Sequence, residues 1–314
     1  MTVRILQFLF FTLLLHSCVD RISIPEEKSG SLVLNCEAVI GSDSVTATLS
    51  TSNNLSGSEP IIAPEDAVIE IFGIRDNFDA KFTLHYVPEE RVYRTKDNIS
   101  ALWTGMSQHR IRASIPSDLY EPVDAKVTMP RANTVATVTG GPTVEAEVGT
   151  DVYQGRDITI TLEEPEVKPA FYQISVREKL TTTFTNEDGE IEYNITSEEI
   201  PMEIVDVISG GAGAVNMVHK DGLLLDQSRL EDNTFSISVN ATSPKQSEDQ
   251  VLSTFIVEVL SVTKDFYDYH KAKSNTITGS DGTLNEPPIW ASNINGGFGL
   301  FSTTTRTTSQ FEVR

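Results

Sequence analysis

The groups in this chain that could do chemistry are five histidines, two cysteines and 45 acidic residues, and their spacing argues against most reactions. His16 lies in an apolar leader, His85 and His109 on or beside exposed strand faces, His219 in a loop and His270 on a helix. None forms an H-E-x-x-H pair, and one cysteine in the body cannot build a thiolate zinc site, so no metal is expected. Cys36 follows Leu32 and Leu34 on one alternating face. Its neighbours Asn35 and Glu37 supply no cation to lower a thiol pKa, so it is expected in the core. No G-x-S-x-G elbow offers a serine nucleophile. Gly210 to Gly213 follows a strand as a dinucleotide loop would, but Ala214 to Gly222 makes no amphipathic helix behind it. Acid pairs are inevitable at this composition, and Asp188 and Glu190 about Gly189 read as a turn rather than a calcium loop. No catalytic activity and no cofactor are expected.

Cys18 carries a different chemistry. Arg4 is followed by the apolar run Ile5 to Leu15, too short for a spanning helix of roughly 20 residues. Leu15-His16-Ser17-Cys18 resembles the lipobox of bacterial lipoproteins, with His16 its main departure. Residues 1–17 are then a signal peptide, and Cys18 is the lipidated first residue of the mature chain. Each buried acyl CH₂ is worth roughly 0.8 kcal/mol, so two or three chains give lasting attachment to a membrane. The net charge of −21 repels phosphate backbones and anionic headgroups, which excludes nucleic acid as a partner.

These groups must be positioned by strands. Residues 18–30 are polar and acidic, suited to a tether. Val45 to Ser52, the more continuous apolar run Val68 to Ile74, the alternation of Phe82, Leu84 and Tyr86, that of Ile111, Ala113 and Ile115, and Ala125 to Met129 all read as strands. About seven strands with frequent turns predict an immunoglobulin-like β-sandwich over residues 31–131. Past a boundary near Arg131 the pattern restarts: Thr134 to Thr139, a Gly140-Gly141-Pro142 turn, faces at Ile158/Ile160/Leu162 and Tyr172/Ile174/Val176, a hairpin near Asn186 to Gly189, and Met202 to Ile208. Phe235/Ile237/Val239 follows, and Thr254 to Val262, apolar on both faces, predicts the centre of a second β-rich domain over 132–314. One helix is predicted over Lys264 to Lys273, capped by Thr263, with Phe266, Tyr269 and His270 on one face.

The last forty residues are the most distinctive. Phe266-Tyr267-Asp268-Tyr269 lies on that helix, and Asn285-Glu286-Pro287-Pro288-Ile289-Trp290-Ala291-Ser292-Asn293-Ile294-Asn295-Gly296-Gly297-Phe298-Gly299-Leu300-Phe301 follows. Together with the Ser17-Cys18 site, Thr48-Leu49-Ser50, Pro60 to Ile69 and Ala125 to Pro130, this resembles the DUF4249 family of Bacteroidetes outer-membrane lipoproteins. Gly297 stands where the family more often has an aliphatic residue, and Cys36 where it often has glycine. The resemblance implies an outer-membrane, lipid-anchored accessory or binding protein at the cell surface, associated with a TonB-dependent receptor in nutrient capture. A surface adhesin or structural envelope module is the alternative. Read physically, the prolines and the Asn/Gly run turn the chain into a closing strand, Phe298 to Thr303. A contact surface for a partner or ligand would be sought at Trp290, Asn293 and Trp103.

Overall fold

Period-two alternation sets the strands of the computed structural model, which describes residues 31–52, 65–75, 78–103, 106–116, 120–131, 134–148, 151–163, 171–185, 191–210, 215–219, 222–227, 234–244, 250–277 and 291–313. The first strands are β1 (Leu32–Val39), β2 (Thr46–Thr51), β3 (Val68–Arg75), β4 (Phe78–Val87), β5 (Val92–Thr95), β6 (Gln108–Ser114) and β7 (Val123–Thr128), with the single-turn helix α1 (Ser100–Trp103) before β6. Then come β8 (Thr134–Val148), β9 (Asp151–Glu163), β10 (Phe171–Thr185), β11 (Ile191–Gly210), β12 (Val215–His219), β13 (Gly222–Asp226), β14 (Thr234–Pro244) and β15 (Gln250–Val262). Helix α2 (Lys264–Ile277) and β16 (Phe298–Val313) end the chain.

All strands belong to one large mixed sheet, ordered β7-β6-β3-β4-β5-β2-β1-β16-β15-β10-β11-β14-β9-β8, with β13 beside β10 and β12 beside β13. The fold is therefore mostly β, with α2 the one helix of more than a single turn among the described residues. Buried side chains gather into a first core, from Leu32, Leu34 and Cys36 to Val127, and a second, built on Ile158, Ile160, Ile174, Val257 and their neighbours. A small third cluster of Phe171, Leu224, Val262, Phe266, Tyr267 and Leu300 lies under α2.

The last strand joins these cores. Val33 to Val39 pair in parallel with Phe298 to Thr304, and Ser253 to Ser261 pair antiparallel with Val313 to Thr305. The predicted closing strand is thus longer than Phe298 to Thr303, and its first half adds Phe301 to the first core rather than to the region following Arg131. β15 lies within the sheet, paired with β10 along one edge and β16 along the other.

Three expectations are corrected. Gly140-Gly141-Pro142 is not a turn: β8 runs through it, with a register shift between Gly140 and Thr143. As the last strand in the order, β8 has no outer neighbour that would need the amide proline lacks. His109 is fully buried, because Gln108, Arg110 and Arg112 alternate outward and leave it on the face of Ile111. His219 ends β12 rather than sitting in a loop.

Candidate functional site

The C-terminal signature is built by short-range side-chain bonds to backbone. Thr263 caps α2 as predicted: its hydroxyl accepts from the Phe266 amide at 3.2 Å. The helix turns Phe266, Tyr267 and His270 inward and lays them over β10, β12, β13 and β16. Beneath it lie the outward residues of β1. The Tyr269 hydroxyl donates to Asn35 Oδ1 at 3.2 Å, and His270 Nε2 lies 3.0 Å from Glu37 Oε1. Asn35 Oδ1 also accepts from the Leu300 amide at 3.1 Å. Burial, and next the Glu37 carboxylate, raise the Tyr269 pKa and keep its hydroxyl a donor.

Asn293 forms the centre of the arrangement. Its Nδ2 donates to the Phe301 carbonyl at 2.7 Å, while its Oδ1 accepts from the Phe301 amide at 2.8 Å. This two-bond clip satisfies both polar groups of one residue in β16 as a neighbouring strand would. Nδ2 also reaches Asp265 Oδ2 on α2 at 3.2 Å, and the Ser292 hydroxyl accepts from the Ile294 amide at 3.2 Å. Ile294 then enters the first core, and Asn295 exchanges two backbone bonds with Asp124 on β7, at 2.8 and 3.2 Å. Residues 291–301 therefore join β7, the edge of the sheet, to β16.

Two glycines permit the approach. Gly299 has φ +113°, and a Cβ there would lie 2.1 Å from the Leu34 carbonyl oxygen. A Cβ on Gly297 would lie 2.4 Å from the Leu32 carbonyl oxygen and 2.7 Å from Val123 Cγ1, so this backbone leaves no room for an aliphatic residue there.

Of the contact residues expected from the sequence, Trp103 and Asn293 lie among the described residues. Trp103 is a core residue, 6% exposed, its Nε1 donating to the Ser42 carbonyl at 3.0 Å and its ring edge-on to His109 at 4.9 Å. It offers no face to a partner. Asn293 is occupied by Phe301 and Asp265, while Cys18 and Trp290 lie outside the described residues. Cys36 is buried as expected, and burial, with Glu37 adding to it, drives its thiol pKa far upward. Among the described residues no group of three His, Cys, Asp or Glu could hold a metal ion. Sequence reasoning missed Asn35, Glu37 and Asp265; the alternation of Asn35 and Glu37 with the apolar residues of β1 was the available signal.

The second core contains one ionic feature. Arg156 and Glu178 lie on the inward faces of β9 and β10, and the Arg156 guanidinium stacks over Phe255 at 5.2 Å, itself stacked on Phe311 at 5.3 Å. Burial lowers the Arg156 pKa and the Glu178 charge opposes that shift.

The profile of the DUF4249 family, a domain of unknown function, matches residues 20–310. No curated protein matches the sequence. Among solved structures, a chain described as manganese lipoxygenase of Gaeumannomyces graminis with partial zonadhesin of Komagataella pastoris is 13% identical, over 90% of this chain and 95% of that one, with a TM-score of 0.21. The collagen-binding domain of the Erysipelothrix rhusiopathiae surface protein RspB is 10% identical, over 89% and 96%, with a TM-score of 0.16. Superpositions this poor carry no argument about fold or function.

Proposed function

The chain belongs to the DUF4249 family, and from that premise we propose that it is a lipid-anchored outer-membrane protein that assists a TonB-dependent transporter in nutrient capture, without catalysis of its own. The reading is supported above all by the lipobox-like Leu15-His16-Ser17-Cys18 standing directly before the matched residues 20–310. In this reading Cys18 is acylated, the next dozen residues tether the body, and the strands on either side of Arg131 act as two units, the first immunoglobulin-like. The two large cores favour that division, with the amendment that residues 291–304 belong to the first unit.

The test is metabolic labelling with an alkyne fatty acid, followed by isolation from detergent-solubilised membranes. The wild-type chain is expected to carry label and to elute with a TonB-dependent receptor, and Cys18→Ser to lose label and its salt-resistant membrane attachment. An unlabelled wild type would overturn the anchor. A labelled protein that elutes without a receptor would overturn the transporter association and favour the adhesin.

A further inference from the structure

The outer face of β3 carries a stripe of partly uncovered apolar side chains. Val68, at 44%, is the exposed large hydrophobic residue among those described, and Phe72 and Ile74 on the same side of the strand are half-buried. Strand register sets cations on both flanks of this stripe. Phe72 faces Lys81 of β4 on one side and Arg110 of β6 on the other, and Arg110 in turn faces Lys126 of β7. One row along, Glu70 faces Arg112, which faces Asp124. Lys81 is paired with Glu70 at 2.6 Å and Arg110 with Asp124 at 3.3 Å. Arg112 and Lys126 are exposed and have no ion pair among the described residues. One row further, Ile74 faces Asp79, so four cations stand against the three carboxylates Glu70, Asp79 and Asp124; in a chain of net charge −21, this face carries a small local excess of positive charge beside an apolar stripe.

We propose that this face lies against an anionic phospholipid surface and orients the body on its membrane. The inference rests on the lipid-anchored reading: Cys18 is 14 residues from Leu32, so an acylated cysteine holds β1 within about 50 Å of the headgroups. At that distance a weak patch is enough, because tethering raises its effective concentration. The acidic remainder of the surface is repelled by phosphates and this face is attracted. Screening over about 8 Å keeps the attraction local rather than averaged over the whole charge. The combination of cations at phosphate level and apolar side chains beside them suits the headgroup boundary.

The test uses the mature chain, residues 18–314, with Cys18→Ser and so without leader or acyl chain, and vesicles of phosphatidylcholine alone or mixed 7:3 with phosphatidylglycerol. Binding is expected only to the mixed vesicles and should fall with added salt. The Arg112→Gln/Lys126→Gln variant should bind about thirtyfold more weakly, from roughly 1 kcal/mol per basic residue near the surface. Unchanged far-UV circular dichroism and melting temperature would show that this variant is folded. Equal binding to both vesicle types, or equal binding by the variant, would overturn the proposal. So would stronger binding to soluble polyglutamate than to vesicles, which would assign the face to an acidic protein. The anchor is read separately, from retention of the acylated wild type on neutral vesicles, so either idea can fail alone.

Discussion

The two large cores are closed by different means. The first is completed by backbone: Asn295 bridges to β7, Asn293 clips Phe301, and β16 pairs in parallel with β1. The second brings β8 close to the far half of β16 through side chains, with Gly140 lying under the ring of Phe311 and Arg156 and Phe255 beside it. Backbone closure tolerates few residues at few positions, whereas side-chain closure can adjust. In this chain the first closure depends on Asn293 and Gly299, whose paired side-chain bonds and positive φ other residues reproduce poorly.

The largest effect is expected at Gly299. Alanine there combines φ +113° with a Cβ 2.1 Å from the Leu34 carbonyl, and should cost about 3 kcal/mol or more in urea unfolding. Asn293→Ala removes both bonds to Phe301 and should cost about 2 kcal/mol by the same measurement. An alkaline titration sharpens the comparison. Burial, and next the neighbouring Tyr86, push the Tyr93 hydroxyl in the first core up to about 12, so its contribution to stability is complete below the ordinary value of 10.0. It is lost as pH rises through about 12, and Tyr93→Phe should flatten that part of the stability profile. Where the cores meet, Thr303 Oγ1 is buried with no hydrogen-bond partner among the described residues. Thr303→Val should raise stability by about 1 kcal/mol. Smallest is Gly140→Ala, whose Cβ would meet a movable ring atom of Phe311 at 3.0 Å and should cost less than about 1 kcal/mol.

Alternation made much of this fold legible. It set the faces of β1, β4 and β6 and the burial of Cys36, the continuous run Val68 to Ile74 marked β3, and the Thr263 cap with its aromatic face located α2. Period two tells which face a residue occupies but not which strand lies beside it. The change of partner along β16, parallel to β1 and then antiparallel to β15, was invisible for that reason, as was the alignment of Lys81, Arg110 and Lys126 about Phe72. Gly140-Gly141-Pro142 misled because turn residues are also tolerated in a terminal strand with a register shift. Trp103 misled because a tryptophan beside a turn reads equally as a contact or a core ring, and only the fold shows its indole held by the Ser42 carbonyl. Asn293 was read both as a turn residue and as a contact; its bonds to Phe301 show why an amide, able to donate and accept at once, is needed there.

The most direct measurement is hydrogen exchange with mass spectrometry on Asn293→Ala, compared with the wild type under native conditions. Opening the clip is expected to strip protection from β1, β7 and the first half of β16 while β9, β10 and β14 keep theirs. Loss spread evenly over both cores, or no loss in β1 and β7, would contradict a first core completed by the returning C-terminal segment.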